Sequence, residues 1–267
     1  MPDCFDIEKK FAVIVVSCDK YSDLWLPFFR TFRLYWPDCP FRVYLLSNHR
    51  SADEEGVQNL CVGDDISWSD NLRRAVESIE QQYVLLFLDD LFLNRPVNWE
   101  YVKSVFSWIT EKDPNYVRMN SSPLPDKPFN ELVGIASKGT IYRTSTVLSV
   151  WKKAVLLDLL KNAETAWDFE ILGSTRSDKY DNFYSTWKEC FPVTNGVIKG
   201  KWQPIAVRNL QAIDIEVDLS SRPVMTYRET IIFFLKRKRS ALLNLLPARH
   251  RQWVKNAFLR GQYNYNK

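Results

Sequence analysis

The sequence predicts an α/β protein built on a doubly wound, mostly parallel sheet. Residues 11–17 (FAVIVVS), 41–46 (FRVYLL) and 83–88 (YVLLFL) are apolar runs of strand length, the pattern of strands buried on both faces. The segments between them place apolar residues at helical spacing. Strand and helix therefore alternate at the pace of a parallel sheet with crossover helices.

The first run predicts a buried strand. Residues 19–36 follow as a helix, with Leu24, Phe28, Phe32 and Tyr35 on one face and Pro37 closing it. The second strand ends in Ser47 and Asn48, and a short strand is expected at 60–62. Residues 67–82 read as an amphipathic helix with Leu72, Ala75, Val76 and Ile79 inward and Ser67 or Ser69 as its cap. Beyond residue 93 the pattern is less regular. Helices are expected at 99–111, 145–160 and 166–173, short strands at 117–120 and 137–143, and a Pro-rich loop at 121–130. Residues 193–202 read as a hairpin turning at Asn195-Gly196.

Ligands of such sheets sit beyond the carboxyl ends of the strands. Here those ends carry Ser17, Cys18 and Asp19, then Ser47 and Asn48, then Asp89 and Asp90. Polar groups thus collect on one edge.

Composition excludes several classes. With 8 Gly the chain has no G-x-G-x-x-G and no P-loop, which disfavours dinucleotide enzymes and P-loop NTPases. His49 and His250 share no motif, so a His-rich zinc site is not expected. Cys4, Cys18, Cys39, Cys61 and Cys190 are odd in number and widely spaced, and read as reduced thiols of a cytoplasmic protein. Neither a secretory leader nor a membrane-spanning run is visible. The 10 Trp, 12 Tyr and 16 Phe serve first as core filling, though the same rings stack on sugars.

The net charge of +4 is unevenly spread. Residues 222–267 hold eleven Lys/Arg against one acid, a charge of +10, which leaves −6 on residues 1–221. The organisation read from this is an α/β body at 1–207, with halves at 1–95 and 96–207, and a basic amphipathic tail at 208–267. The tail interleaves Lys236, Arg237, Lys238 and Arg239 with apolar residues that include Leu242, Leu243, Leu245, Leu246, Trp253, Phe258 and Leu259. Such a segment suits an anionic membrane surface, the alternative being a terminal helix packed on the body. No nucleic-acid motif accompanies it.

The sharpest chemical signal is residues 83–93, YVLLFLDDLFL, where Asp89 and Asp90 interrupt an otherwise apolar stretch. Two adjacent buried carboxylates are costly without compensation. A divalent cation supplies it, and Mg²⁺ or Mn²⁺ takes a few carboxylates together with substrate phosphates. Capping of the next turn, or pairing with Arg, is the competing explanation.

A strand running into Asp-Asp, with the helix SDNLRRA just upstream, resembles GT-A-fold glycosyltransferases over roughly residues 11–205, and more narrowly those that assemble bacterial capsule or O-antigen polysaccharide. A strict D-x-D would need an acid where Leu91 stands, so the match is to a D-D variant. The resemblance implies a sugar transferred from a nucleoside-diphosphate donor to a glycan hydroxyl on a lipid-linked acceptor, with Mn²⁺ or Mg²⁺ as cofactor. It makes 1–207 the catalytic domain, with 1–95 the nucleotide-sugar-binding half and 96–207 the acceptor-side half. Asp90 would bind the metal, and Asp89 the ribose or a metal-bound water. Ser17, Cys18, Asp19, Asn48, Asp65 and Asn71 are the implied donor contacts, with Arg176 at the diphosphate. Arg143 and Lys179 are weaker candidates for that charge. It implies a catalytic base on an acid at the start of a short helix, which Asp168 or Glu170 matches, with Trp167 stacking on the acceptor. Thr165 with Asp168 also reads as a capping box. Inverting transfer needs one carboxylate to take the acceptor proton. The implied location is the inner face of the cytoplasmic membrane. Two rivals remain: a sugar nucleotidyltransferase, disfavoured because residues 17–21 (SCDKY) lack glycine, and a non-catalytic membrane-associated scaffold with the same fold.

Overall fold

The structure, a computed structural model, describes residues 4–140 and 142–244, with side chains from residue 7 through 235. It divides into two compact units, Met1–Val224 and Met225–Lys267.

The first unit is an α/β domain with helices on both faces of a nine-stranded sheet. Its N-terminal half runs α1 (Cys4–Lys10), β1 (Phe11–Val16), a 3-10 turn (Asp19–Leu24), α2 (Trp25–Tyr35), β2 (Arg42–Ser47), β3 (Val57–Cys61), α3 (Trp68–Glu77), β4 (Tyr83–Leu88) and β5 (Leu91–Leu93). The C-terminal half runs α4 (Trp99–Lys112), β6 (Tyr116–Arg118), β7 (Lys127–Pro128), β8 (Val133–Ile135), β9 (Ser149–Lys152), α5 (Lys153–Leu159), α6 (Ala166–Arg176), β10 (Phe183–Thr186), β11 (Val193–Asn195), β12 (Val197–Ile198), β13 (Lys201–Trp202) and α7 (Pro204–Gln211). The strand order is β3-β2-β1-β4-β9-β6-β10-β8-β7. Only β9 and β8 run against the rest, so the sheet is mostly parallel, as expected of a GT-A-like layout.

All six residues of β1 are buried because both its faces are covered. Phe11, Val13 and Val15 pack with Phe28, Phe32 and Phe106 of α2 and α4. Ala12, Ile14 and Val16 pack with Leu72, Val76 and Leu156 of α3 and α5. Strand alternation thus divides one run between two cores. The α3 face is the expected one, and Ser67 is its cap, accepting from Asp70 N at 3.1 Å.

Register places the edge. Val16 pairs with Leu88 on one side and with Leu46 on the other. Because these strands are parallel and level, Ser17, Ser47 and Asp89 all emerge at the same rim.

Three expectations for the second half are corrected. Residues 145–160 are not one helix: β9 forms first and pairs antiparallel with β4 and β6, and α5 follows. Burial of Val150 and Trp151 at the sheet centre overrides helical propensity. The described residues of 137–143 form turns rather than a strand. The hairpin does not turn at Asn195-Gly196: β11 pairs with β5, and β12 and β13 turn through Lys199 and Gly200, both at positive φ. Helix α7 buries Ala206, Val207 and Leu210, and the first unit runs to Val224.

The described part of the second unit is α8 (Tyr227–Asn244), begun by a capping box of Thr226 and Glu229. Tyr227, Ile231, Ile232, Phe234 and Leu235 are exposed on it. The tail residues Leu245, Leu246, Trp253, Phe258 and Leu259 lie outside the described residues. Among the described residues no helix is long and apolar enough to cross a membrane.

Candidate active site

A cavity of about 350 Å³ opens at the rim of β1, β2 and β4. Val16, Ser17, Cys18, Tyr21, Leu46, Asp65, Trp68, Asn71, Leu88, Asp89, Asp90 and Ala166 line it. Five expected donor contacts meet there: Ser17, Cys18, Asp65, Asn71 and Asp89, beside the expected metal ligand Asp90.

The acid pair is set by the strand end. Asp89 is 7% exposed and its Oδ2 accepts from Ser17 Oγ at 2.5 Å, while Ser17 Oγ accepts from Trp25 Nε1 at 2.7 Å. Burial pushes the Asp89 carboxyl up to about 8 against the Ser17 hydrogen bond, with the Asp90 charge adding to the rise. Burial pushes Asp90 up to about 6. Beyond Asp90 the chain is held by Gly196 N, which donates to Asp90 O at 2.6 Å. A Cβ at Gly196 would overlap the Phe92 ring, so only glycine lets β11 close on this turn.

Asn71, 5% exposed, donates through Nδ2 to Asp65 Oδ1 at 2.7 Å, and its Oδ1 is buried without a partner. Trp68, one turn earlier on α3, has an Nε1 in the same condition. Both side chains line the cavity, while these two polar atoms lie beneath its surface. Burial raises the Cys18 thiol, so it lines the wall as a neutral group rather than a thiolate.

The remaining expected residues are committed elsewhere. Asp19 takes the backbone N–H groups of Asn48, His49 and Arg50 at 3.0–3.2 Å and donates its own N–H to Asn48 Oδ1. Against partial desolvation those three N–H groups hold its carboxyl below the usual range. Asp19 and Asn48 thus clamp the ends of β1 and β2. Arg176 forks onto Glu164 at 2.6 and 2.7 Å and donates to Leu159 O, so it braces α6 instead of the cavity. Arg143, 2% exposed, spans the carbonyls of Ala136, Ser177 and Tyr180. Lys179 pairs with Asp158.

Asp168 completes the capping box of α6: Thr165 N and Oγ1 donate to its Oδ2 at 3.1 and 2.7 Å. Glu170 Oε1 accepts from Ser145 Oγ, Thr146 N and Thr146 Oγ1 at 2.8–3.0 Å. It pins the turn that leads into β9. Trp167 is 69% exposed, next to the cavity residue Ala166.

Sequence reasoning missed Tyr21, Trp25, Trp68, Gly196 and Arg222. The aromatics lay inside predicted helices whose inward faces were read from other residues. Gly196 was given to a hairpin turn. Arg222, assigned to the tail, forks onto Asp23 at 2.6 and 3.0 Å.

As to a metal, Asp89 and Asp90 are the donors that fit: adjacent carboxylates, desolvated at the strand end, both lining the cavity. Among the described residues no group of three His, Cys, Asp or Glu is placed to hold an ion by itself. Two carboxylates suit a cation that completes its shell with water and phosphate.

No family model matches the chain, and no curated protein matches it. Among solved structures it is similar to S. aureus TarS 1-349, at 16% identity and a TM-score of 0.46, over 69% of this chain and 59% of that one. The same fragment in complex with UDP gives 14% and 0.47 over the same shares. In complex with UDP-GlcNAc it gives 15% and 0.41, over 56% of this chain and 47% of that one. The chain thus spans less than two thirds of the length of these structures. At such distance no residue role passes from them to this chain.

Proposed function

We propose that this chain is a glycosyltransferase that moves a sugar from a nucleoside-diphosphate donor to a glycan hydroxyl in the assembly of a surface polysaccharide. The observation that carries the reading is the cavity itself. An acid pair at the end of a central parallel strand shares it with the side chains of Ser17, Tyr21, Trp68 and Asn71.

The roles follow from the wall. Asn71 and Trp68 would form the wall on the nucleobase side. Asp89, fixed by Ser17, faces the ribose or a metal-bound water. Asp90 with Asp89 would hold Mn²⁺ or Mg²⁺, which supplies charge neutralisation to a departing diphosphate. Asp168 is the favoured base for an inverting transfer. Only its Oδ2 is used by the capping box, and it stands two residues from Ala166 of the cavity wall. Trp167 offers an exposed ring to the acceptor.

The test is thermal unfolding of the full chain with UDP, GDP, ADP and CDP, each with and without Mn²⁺. A bound nucleotide raises the melting temperature by mass action. A rise for one or two nucleotides that needs Mn²⁺, and is lost in Asp90→Asn, supports the reading. No rise with any nucleotide sinks it in favour of a scaffold.

A further inference from the structure

We propose that Arg222 is a positioning residue for the cavity: paired with Asp23 and laid over Tyr21, it fixes the tyrosine ring as the wall against which the flat heterocycle of a nucleotide stacks. The inference rests on the nucleotide reading above.

Tyr21 lines the cavity from the 3-10 turn Asp19–Leu24. Such turns have poorer hydrogen-bond geometry than an α-helix, so a ring carried on one needs support from outside. Arg222 provides it. Its guanidinium carbon lies 4.2 Å from the Tyr21 ring centroid. Its Nε and Nη2 donate to Asp23 Oδ2 and Oδ1 at 2.6 and 3.0 Å, and Nη2 also donates to Lys20 O at 2.8 Å. One side chain thus ties down three positions of the turn, Lys20, Tyr21 and Asp23. A flat fork that stacks and chelates together is a task for Arg rather than Lys.

The segment presenting Arg222 is itself fastened. Trp202 N donates to Pro223 O at 3.0 Å and Trp202 Nε1 to Asp218 O at 3.2 Å, while Val224 bridges to Trp202. Trp202 lies on β13, close in sequence to Gly196, whose N–H holds Asp90 O. One strap therefore serves both the Tyr21 wall and the acid-pair turn.

Both side chains of the Asp23–Arg222 pair are only 10% exposed. Desolvating two charges leaves such a pair little net worth for stability, which points to placement as its contribution. Among the described residues no Lys or Arg lines the cavity, and the Arg222 charge acts on both Asp89 and Asp90, opposing the effect of their burial.

The test is a double-mutant cycle on the full chain. Binding of UDP and GDP with Mn²⁺ is measured by calorimetry in wild type, Arg222→Gln, Tyr21→Leu and the double variant. Arg222→Gln is expected to weaken the better-bound nucleotide roughly tenfold. When Tyr21 is already Leu, the same substitution should change affinity by less than about twofold, since the ring it acts through is gone. Arg222→Lys, which keeps the charge but not the flat fork, should recover only part of the loss. It also carries the comparison if circular dichroism shows Arg222→Gln unfolded. Unchanged binding in Arg222→Gln overturns the inference alone, as does an equal loss with and without Tyr21. Absence of UDP and GDP binding in wild type overturns the nucleotide reading, and this inference with it.

Discussion

Ser17 Oγ lies 2.5 Å from Asp89 Oδ2, joining the first residue past β1 to the first past β4. The contact exists because Val16 and Leu88 are level in a parallel register. Ser17→Ala strands both the Asp89 carboxyl and Trp25 Nε1, and a buried polar group left unpaired costs about 1–3 kcal/mol. Urea unfolding should show a loss of that order with an unchanged m-value. Full stability in the variant would mean the hydroxyl is dispensable to the rim.

Stability should fall as pH rises through the range where the acid pair titrates. Burial raises Asp89 and Asp90 in the folded state to about 8 and about 6, from the ordinary carboxylate value of 3.8. The folded chain therefore holds protons that the unfolded chain has released, a contribution complete below about pH 4 and lost by about pH 8. In metal-free buffer the urea midpoint should be lower at pH 8 than at pH 5, and Asp89→Asn should flatten most of that slope. Mn²⁺ added at pH 8 should recover stability if the pair binds it. A slope that survives Asp89→Asn assigns the titration to other groups.

Asp168→Asn and Glu170→Gln should separate chemistry from architecture. As the base, Asp168 should cost about two to four orders of magnitude in turnover when amidated, with nucleotide binding intact. Glu170→Gln should act on stability, because its Oε1 anchors Ser145 and Thr146. Steady-state rates and calorimetric binding on both variants decide. Full turnover in Asp168→Asn removes it from the mechanism.

Gly196→Ala should destabilise the chain by about 1–3 kcal/mol, the usual cost of overpacking, since the new methyl meets the Phe92 ring. It should also weaken Mn²⁺-dependent nucleotide binding, because Gly196 N holds Asp90 O. Stability and binding that both match wild type would show that β11 can shift freely.

The exposed apolar residues of α8 precede the basic run Lys236-Arg237-Lys238-Arg239. Each basic residue near an anionic bilayer is worth about 1 kcal/mol, so replacing the four by Gln should release the chain from anionic vesicles at physiological salt. Transfer to a soluble acceptor should be unaffected. Wild type that fails to co-sediment, or sediments equally with neutral vesicles, ends the membrane reading.

The sequence by itself determined the N-terminal sheet and the location of the acid pair. Buried parallel strands leave continuous apolar runs, and two carboxylates inside such a run are conspicuous because burying charge is costly. Those signals are local, so one strand's worth of residues carries each. The tertiary structure alone decided which polar residues share a cavity. Asp19, Asn48 and Arg176 carry the expected chemistry, yet their hydrogen bonds serve the scaffold. Tyr21 and Trp68 fell inside predicted helices without a role and turned out to be wall. Strand β9 left no period of its own because four residues are too few to show one against a following helix. The pairing of Asp23 with Arg222 spans 199 residues. No spacing rule encodes such a contact: it exists only where packing of the sheet, the 3-10 turn and the 218–224 strap brings two charges together out of water.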